Sequence, residues 1–278
     1  MANSADDPVT VTADSAVIPA ELTRLAIDLA QRAGRLAIER RAAGFSVSTK
    51  SSATDVVTDA DRAVEDMLRG ELARLRPDDA ILGEESGDGG RPDAPIRWLI
   101  DPIDGTVNFM LGLPQWAVSI AAQQHGVTVA GCVLNPVSGD LFSATLGHGA
   151  YLGERRLTGP RPVGLAEAVV ASGFGYDPQR RARQGQVVAD LLGRVGNLRR
   201  LGSAALDLCY LAAGWIDLYF EGPLGEWDFG AGLLIAQEAG LVTSGLYGRP
   251  AGAELVAAGH PDNAADFFAL LESVGAGR

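Results

Sequence analysis

Lysine is almost absent from this 278-residue sequence: Lys50 is the only one, and arginine supplies the remainder of the 23 basic residues. A compact ammonium differs from a guanidinium fork, so this survivor reads either as a solvated surface residue or as a group with a specific use. Histidine is scarce too. His125, His148 and His260 are scattered, two of them beside glycine in turn-like sequence, which argues against a histidine metal centre or a catalytic dyad. The chemistry must run without histidine. Cys132 and Cys209 lie in apolar surroundings with no Cys-x-x-Cys spacing, so they read as small core residues rather than as ligands or a disulfide framework. Positive charge is short overall. A formal net charge of -12 and a pI near 4.7 argue against nucleic acid and anionic membrane as partners, and suit a protein that gathers cations. No apolar run is long enough for a membrane helix, and the opening Met1-Ala2-Asn3-Ser4-Ala5-Asp6-Asp7 lacks the basic patch and apolar stretch of a secretion signal. A cytoplasmic location is the expectation.

Apolar bulk, by contrast, is plentiful. At 47% hydrophobic content the chain can form one large domain or two intimate subdomains around a sizeable core. Residues 1–18 are polar without a period and read as a mobile tail. Leu22, Ala26, Leu29, Ala33 and Leu36 recur at helical spacing over residues 21–41, and Gly44 ends that helix. After a Ser/Thr-rich loop, Thr58-Asp59-Ala60-Asp61 has the form of a capping box ahead of a second helix striped with Val64, Met67, Leu68, Leu72 and Leu75. A short strand at 80–83 leads into Glu84-Glu85-Ser86 and then a glycine- and proline-rich loop, 87–95, expected to be flexible. Segments 117–123, 127–134, 140–145 and 150–152, separated by glycine-bearing turns, read as an antiparallel meander. From about Arg161, strands at 169–172, 198–201 and 216–220 alternate with helices at 179–192, 203–213 and 228–239, and a helix at 262–271 closes the pattern. Alternation of that kind marks an α/β layer.

The densest signal is Trp98-Leu99-Ile100-Asp101-Pro102-Ile103-Asp104-Gly105-Thr106-Val107-Asn108-Phe109, where an apolar strand empties into two acids, a glycine and a threonine. Two ionised carboxylates about 4 Å apart repel by about 4 kcal/mol at an effective dielectric near 20, so a cation between them is the simplest way to keep both charged. Hard carboxylate oxygens suit Mg²⁺, which when bound this way normally also holds substrate phosphate. The same letters fit a plain connection, because Asp-Pro opens turns and Asp-Gly closes hairpins. Further acids in equivalent settings weigh against that. Leu82-Gly83-Glu84 and Leu218-Tyr219-Phe220-Glu221 also run from strand into acid, and Asp228 opens a helix after Trp227. Any one of these reads as a solvated loop residue, but open sheets gather strand carboxyl ends at one crevice. Gly105 at the mouth of a short helix would let backbone N–H groups meet an anion, and the Thr106 hydroxyl is placed to orient a water. Asp61 either neutralises its helix start or is held toward the metals.

These motifs resemble those of the inositol monophosphatase family of Mg²⁺-dependent, lithium-sensitive phosphatases, and the likeness to its bacterial members covers about residues 20–272. It is carried by Asp101 to Phe109, by Trp227-Asp228-Phe229-Gly230-Ala231-Gly232, by Gly83-Glu84-Glu85-Ser86, and by Lys50-Ser51-Ser52-Ala53-Thr54-Asp55 with Val57-Thr58-Asp59-Ala60-Asp61. The resemblance implies a layered α-β-α-β-α sandwich of the sugar-phosphatase type. In it an antiparallel-sheet half, residues 19–160, carries the metal site and an α/β half, 161–278, completes it. It implies two or three Mg²⁺ ions, with Mn²⁺ as a substitute: Glu84, Asp101 and the Ile103 carbonyl would hold the first, and Asp101, Asp104 and Asp228 the second. Glu84 and Thr106 would activate water, with Asp61 beside the cluster and Lys50 and Asp55 in support. Gly105 and Thr106 would hold phosphate, while Gly202, Ser203, Ala204 and Glu221 would meet the alcohol half of the substrate, alongside Asp104 and Asp228.

The implied reaction is hydrolysis of a small polyol phosphate monoester, foremost inositol 1-phosphate, by a homodimer. Histidinol phosphate and fructose 1,6-bisphosphate are the alternatives within the family. Two positions depart from its pattern: Met110-Leu111 stand where many members have histidine, and Gly230-Ala231 where two alanines are common. Neither is an implied metal ligand, so they bear on substrate choice. A haloacid-dehalogenase phosphatase would need Asp-x-Asp and a downstream lysine, and this chain has an extra residue between the acids and no lysine after Lys50. A catalytically idle, metal-dependent binding or regulatory protein is the alternative from another class, because fold alone does not fix function.

Overall fold

The computed structural model describes residues 17–50, 55–91 and 93–278. Most of the expected tail lies outside the described residues, but its last two positions already belong to the first helix, α1 (Val17–Ala43). A hairpin of β1 (Val47–Thr49) and β2 (Val56–Thr58) leads into α2 (Asp59–Leu75), then β3 (Ala80–Gly83), β4 (Gly87–Gly89), β5 (Ile96–Asp104) and the six-residue α3 (Thr106–Leu111). The meander follows as β6 (Ala117–Gln124), β7 (Val127–Leu134), β8 (Leu141–Thr145), β9 (Gly149–Leu152) and β10 (Arg155–Arg156). The last stretch runs β11 (Val169–Ser172), α4 (Pro178–Leu192), β12 (Asn197–Arg199), α5 (Ala204–Ala213), β13 (Leu218–Glu221) and α6 (Glu226–Glu238). It ends with β14 (Val242–Ser244), β15 (Val256–Gly259) and α7 (Pro261–Ser273).

Apart from the hairpin, two sheets form: one of eight strands in the order β10-β9-β8-β7-β6-β5-β3-β4, and one of five in the order β12-β11-β13-β15-β14. Strand alternation sorts side chains to opposite faces and so builds the layers. In the first sheet Trp98 and Ile100 point into a core shared with Leu29, Ala33, Val64 and Leu68 of α1 and α2, while Leu99 joins α5 and α6. In the second, Tyr219 and Val256 face that same α5/α6 core, whereas Leu218 and Ala257 pack with Phe267 and Leu271 of α7. The result is helix, sheet, helix, sheet, helix. Glycines let α6 sit close: a Cβ on Gly131 of β7 would lie 3.1 Å from the Ala231 Cα, and one on Gly232 would lie 2.9 Å from the Leu208 Cβ.

Several local expectations need correction. The strand before the acids does not stop at Ile100 but runs through Asp104, with its pairing to β6 shifting register between Asp101 and Asp104. Residues three apart on a regular strand face opposite ways; the bulge re-aims Asp104 to the side of Asp101 and sends Ile103 into the α1/α2 core. The 87–95 loop contributes a strand, β4, paired with β3, and the Ser/Thr-rich loop contributes β1. Helix α6 starts at Glu226, so Asp228 is its third residue rather than its first. Strands β14 and β15 carry no alternation in sequence, being a three-residue edge and a fully buried Val-Ala-Ala-Gly run.

Candidate active site

The capping box forms as expected. Thr58 caps α2, accepting from the N–H groups of Ala60 and Asp61, and the Asp61 carboxylate returns to the Thr58 N–H at 2.9 Å and to its hydroxyl. The other Asp61 oxygen accepts from the Thr106 hydroxyl at 3.1 Å, so this fully buried acid ties the start of α2 to the start of α3. Burial pushes its pKa up against the pull of these hydrogen bonds. The Thr106 hydroxyl is also 3.2 Å from the Ile103 carbonyl. Gly105 precedes α3 with φ of 96°, a conformation open to glycine, and a Cβ there would meet the Gln115 and Gly202 carbonyls at 3.0 Å.

Asp101, Asp104 and Asp228 each offer a carboxylate oxygen within 4.8 Å of the other two. They arrive from β5 and α6, and each is pinned by hydrogen bonds, those of Asp101 and Asp228 local and those of Asp104 from the start of α5. Asp101 accepts from the Ile103 N–H at 3.0 Å, Asp104 from the Ser203 hydroxyl at 2.6 Å and the Ala205 N–H at 2.8 Å, and Asp228 from the Gly225 N–H at 2.6 Å. Burial first drives all three carboxyls above the ordinary aspartate range; repulsion from Glu84 and Asp104 adds to the rise at Asp101 and Asp228, while at Asp104 the hydrogen bonds from Ser203 and Ala205 oppose it. Near 5 Å each ionised pair costs about 3 kcal/mol at an effective dielectric of 20. Three pinned, hard, mutually repelling oxygens fit a divalent cation such as Mg²⁺.

Glu84 follows β3, its N–H donating to the Ile100 carbonyl at 3.2 Å. Lys50 bridges it to Glu85, with Nζ 2.8 Å from one carboxylate and 2.7 Å from the other. Burial opposes the Lys50 charge, but the two carboxylates outweigh it and raise the pKa above the usual lysine value. Burial also lifts Glu85, to about 7. The lone lysine is thus paired with two acids at the edge of the cleft while remaining partly open to solvent.

A cleft of about 400 Å³ brings together Lys50, Glu84, Asp101, Ile103, Asp104 and Gly105, and with them Thr106, Gly202, Ala204, Glu221 and Asp228. Asp61 and Ser203 do not line it; both are buried behind it and act on Thr106 and Asp104. Glu221 ends β13 on the far wall, where burial raises its pKa to about 7 and the Asp104 charge adds to the rise. The Tyr219 hydroxyl donates to it at 3.2 Å.

Sequence reasoning missed Phe174, Tyr176 and Arg200, which also line the cleft. Phe174 and Tyr176 follow β11, whose parallel pairing with β13 puts both carboxyl ends at one edge, so the signal was the topology rather than any motif. It also missed Gly173, where a Cβ would overlap the Glu221 carboxylate at 1.8 Å.

A family model described as "Inositol monophosphatase family" matches residues 18–275. The chain is 42% identical over 275 residues to a Mycobacterium bovis protein named inositol-1-monophosphatase, covering 91% of this chain and 94% of that one. It is 37% identical over 229 residues to an Escherichia coli protein named Nus factor SuhB, covering 82% and 86%. The solved structure of Mycobacterium tuberculosis SuhB superposes with a TM-score of 0.79 at 38% identity, covering 94% and 99%.

Proposed function

The chain belongs to the inositol monophosphatase family of phosphoric monoester hydrolases, and from that premise we propose that it hydrolyses a small polyol phosphate, foremost inositol 1-phosphate, with Mg²⁺. The observation that carries this reading is the trio Asp101, Asp104 and Asp228 converging within 4.8 Å, with the Thr106–Asp61 pair beside it. Asp101, Asp104, Asp228, Glu84 and the Ile103 carbonyl would hold two or three ions, and Mn²⁺ would substitute. When bound, the metal supplies Lewis acidity toward phosphate oxygens and toward water.

The side chains do the rest. With its proton directed to Asp61, the Thr106 hydroxyl keeps its lone pairs free to accept a hydrogen bond from an incoming water and so orient it. The Glu84 carboxylate is the base that would take up one proton of that water, and Lys50 holds it in place at 2.8 Å. The first N–H groups of α3, opened by Gly105, have no acceptor within their helix and suit phosphate oxygens. Ser203 fixes Asp104 at 2.6 Å, and Gly202, Ala204 and Glu221 form the wall that the polyol hydroxyls would meet. The 19–160 half supplies most of the acids and the 161–278 half supplies Asp228 and that wall.

The proposal includes a cytoplasmic homodimer, inhibited by lithium. No helix among the described residues is long and apolar enough to cross a membrane, and light scattering in solution tests the dimer. A second reading, an idle metal-binding or regulatory protein, is favoured by one finding: relatives at this similarity carry the name Nus factor. Phosphate release from inositol 1-phosphate, fructose 1,6-bisphosphate, histidinol phosphate and a nucleotide, with Mg²⁺ and then with chelator, separates the two. Metal-dependent release with the highest kcat/KM on inositol 1-phosphate is expected. No release from any ester would favour the regulatory reading.

A further inference from the structure

Resting on that hydrolase reading, we propose that Glu65 is a positioning residue that holds the turn carrying Glu84 against the aspartate cluster. Asp61, Glu65 and Arg69 recur at intervals of four on α2 and so share one face. Asp61 reaches Thr106; one turn later, Glu65 reaches the segment after β3. Its carboxylate is fully buried, a costly state for a charge unless it is paired and hydrogen-bonded. The partners are all present: Arg69 Nε donates at 2.8 Å, the Glu85 N–H at 2.7 Å and the Ser86 N–H at 3.0 Å. The Arg69 guanidinium also donates to the Gly87 carbonyl, so three consecutive residues after Glu84 are clamped to α2.

The other side of the turn is fixed by the Glu84 N–H on Ile100, next to Asp101 in β5. Glu84 therefore leaves a backbone held on both flanks. The contact is close enough to dictate sequence on β3: a Cβ on Gly83 would fall 2.6 Å from the Glu65 carboxylate. An Arg–Glu pair that served helix stability alone would work equally well on the solvated face of α2. Buried here, its acceptors are spent on the two N–H groups next to a residue of the site, the arrangement by which outer groups orient metal ligands.

The test uses the full chain as Glu65→Gln and as Gly83→Ala. The first leaves one acceptor where two N–H groups converge; the second keeps the Glu65–Arg69 pair and displaces its carboxylate. Mn²⁺ alone is titrated calorimetrically without substrate, with hydrogen–deuterium exchange of the peptide spanning 83–88 and a thermal melt as controls. A folded variant should lose about 10- to 100-fold in Mn²⁺ affinity and exchange faster over that peptide. A lowered Tm with wild-type Mn²⁺ affinity and exchange would overturn the assignment and leave Glu65 a stabilising residue only. Should Glu65→Gln fail to fold, the Gly83→Ala titration decides. A wild type that binds Mn²⁺ but hydrolyses no ester would sink the hydrolase reading while the titration still settles Glu65; one that binds no Mn²⁺ would sink both.

Discussion

Glu221 illustrates what burial does to a single carboxyl. Enclosed at the end of β13 and facing the charge of Asp104, it keeps its proton up to about 7, whereas an unfolded glutamate loses it near 4.3. Between those values the native state binds more protons than the unfolded one, so this group's contribution to stability is lost as pH rises through the window. Asp101, Asp104 and Asp228 are shifted the same way, so the metal-free protein should melt at a lower temperature near neutral pH than at about pH 5. Glu221→Gln removes one titrating proton and should flatten that decline. Melts across the range check it, and parallel curves for the two proteins would refute the buried-acid account of Glu221. The acids themselves were legible in sequence, since each stands where an apolar strand or a helix start meets a carboxylate. Glu65 and Gly173 were not, because their meaning lies in contacts with residues 20 and 48 positions away, the Glu85 N–H and the Glu221 carboxylate.

At the scale of the element, the start of α2 does two tasks at once. Thr58 satisfies free N–H groups and orients Asp61, which in turn accepts from Thr106. Thr58→Ala should therefore cost about 1–2 kcal/mol of stability as a lost cap. It should also lower kcat in protein that remains folded, with little change in KM, because the Thr106 hydroxyl loses its fixed acceptor. Denaturant titration and steady-state kinetics measure the two parts separately, and an unchanged kcat would disconnect the cap from the chemistry. This helix start was readable because its signal is local, four residues with side chains that bond their own backbone. The bulge in β5 was not readable: Asp-Pro-Ile-Asp fits a turn as well as a strand, and only pairing with β6 decides between them. Strands β14 and β15 escaped for a related reason, since an edge of three residues and a fully buried run show no alternation.

Across the whole molecule, the layering decides where the acids meet. Helices α5 and α6 lie between the two sheets, and they bring Ser203 and Asp228 to the bulged end of β5. The close seat of α6 on β7 rests on Gly131, whose added Cβ would press on the Ala231 backbone at 3.1–3.2 Å. Gly131→Val should thus destabilise by about 1–3 kcal/mol and, by lifting α6, weaken divalent-ion binding in the folded fraction. A variant with wild-type ion affinity would show that Asp228 does not depend on that packing. The alternation of strands and helices in sequence announced an α/β layer, but the order of strands in each sheet follows from long-range pairing that no local pattern records.

The most direct measurement of the central claim is anomalous diffraction from crystals grown with Mn²⁺. The account predicts at least one strong peak bounded by Asp101, Asp104 and Asp228, with carboxylate oxygens at about 2.0–2.2 Å, and loss of that peak in Asp228→Asn. Saturating Mn²⁺ with no peak among these three side chains, or a peak that survives in Asp228→Asn unchanged, would contradict it.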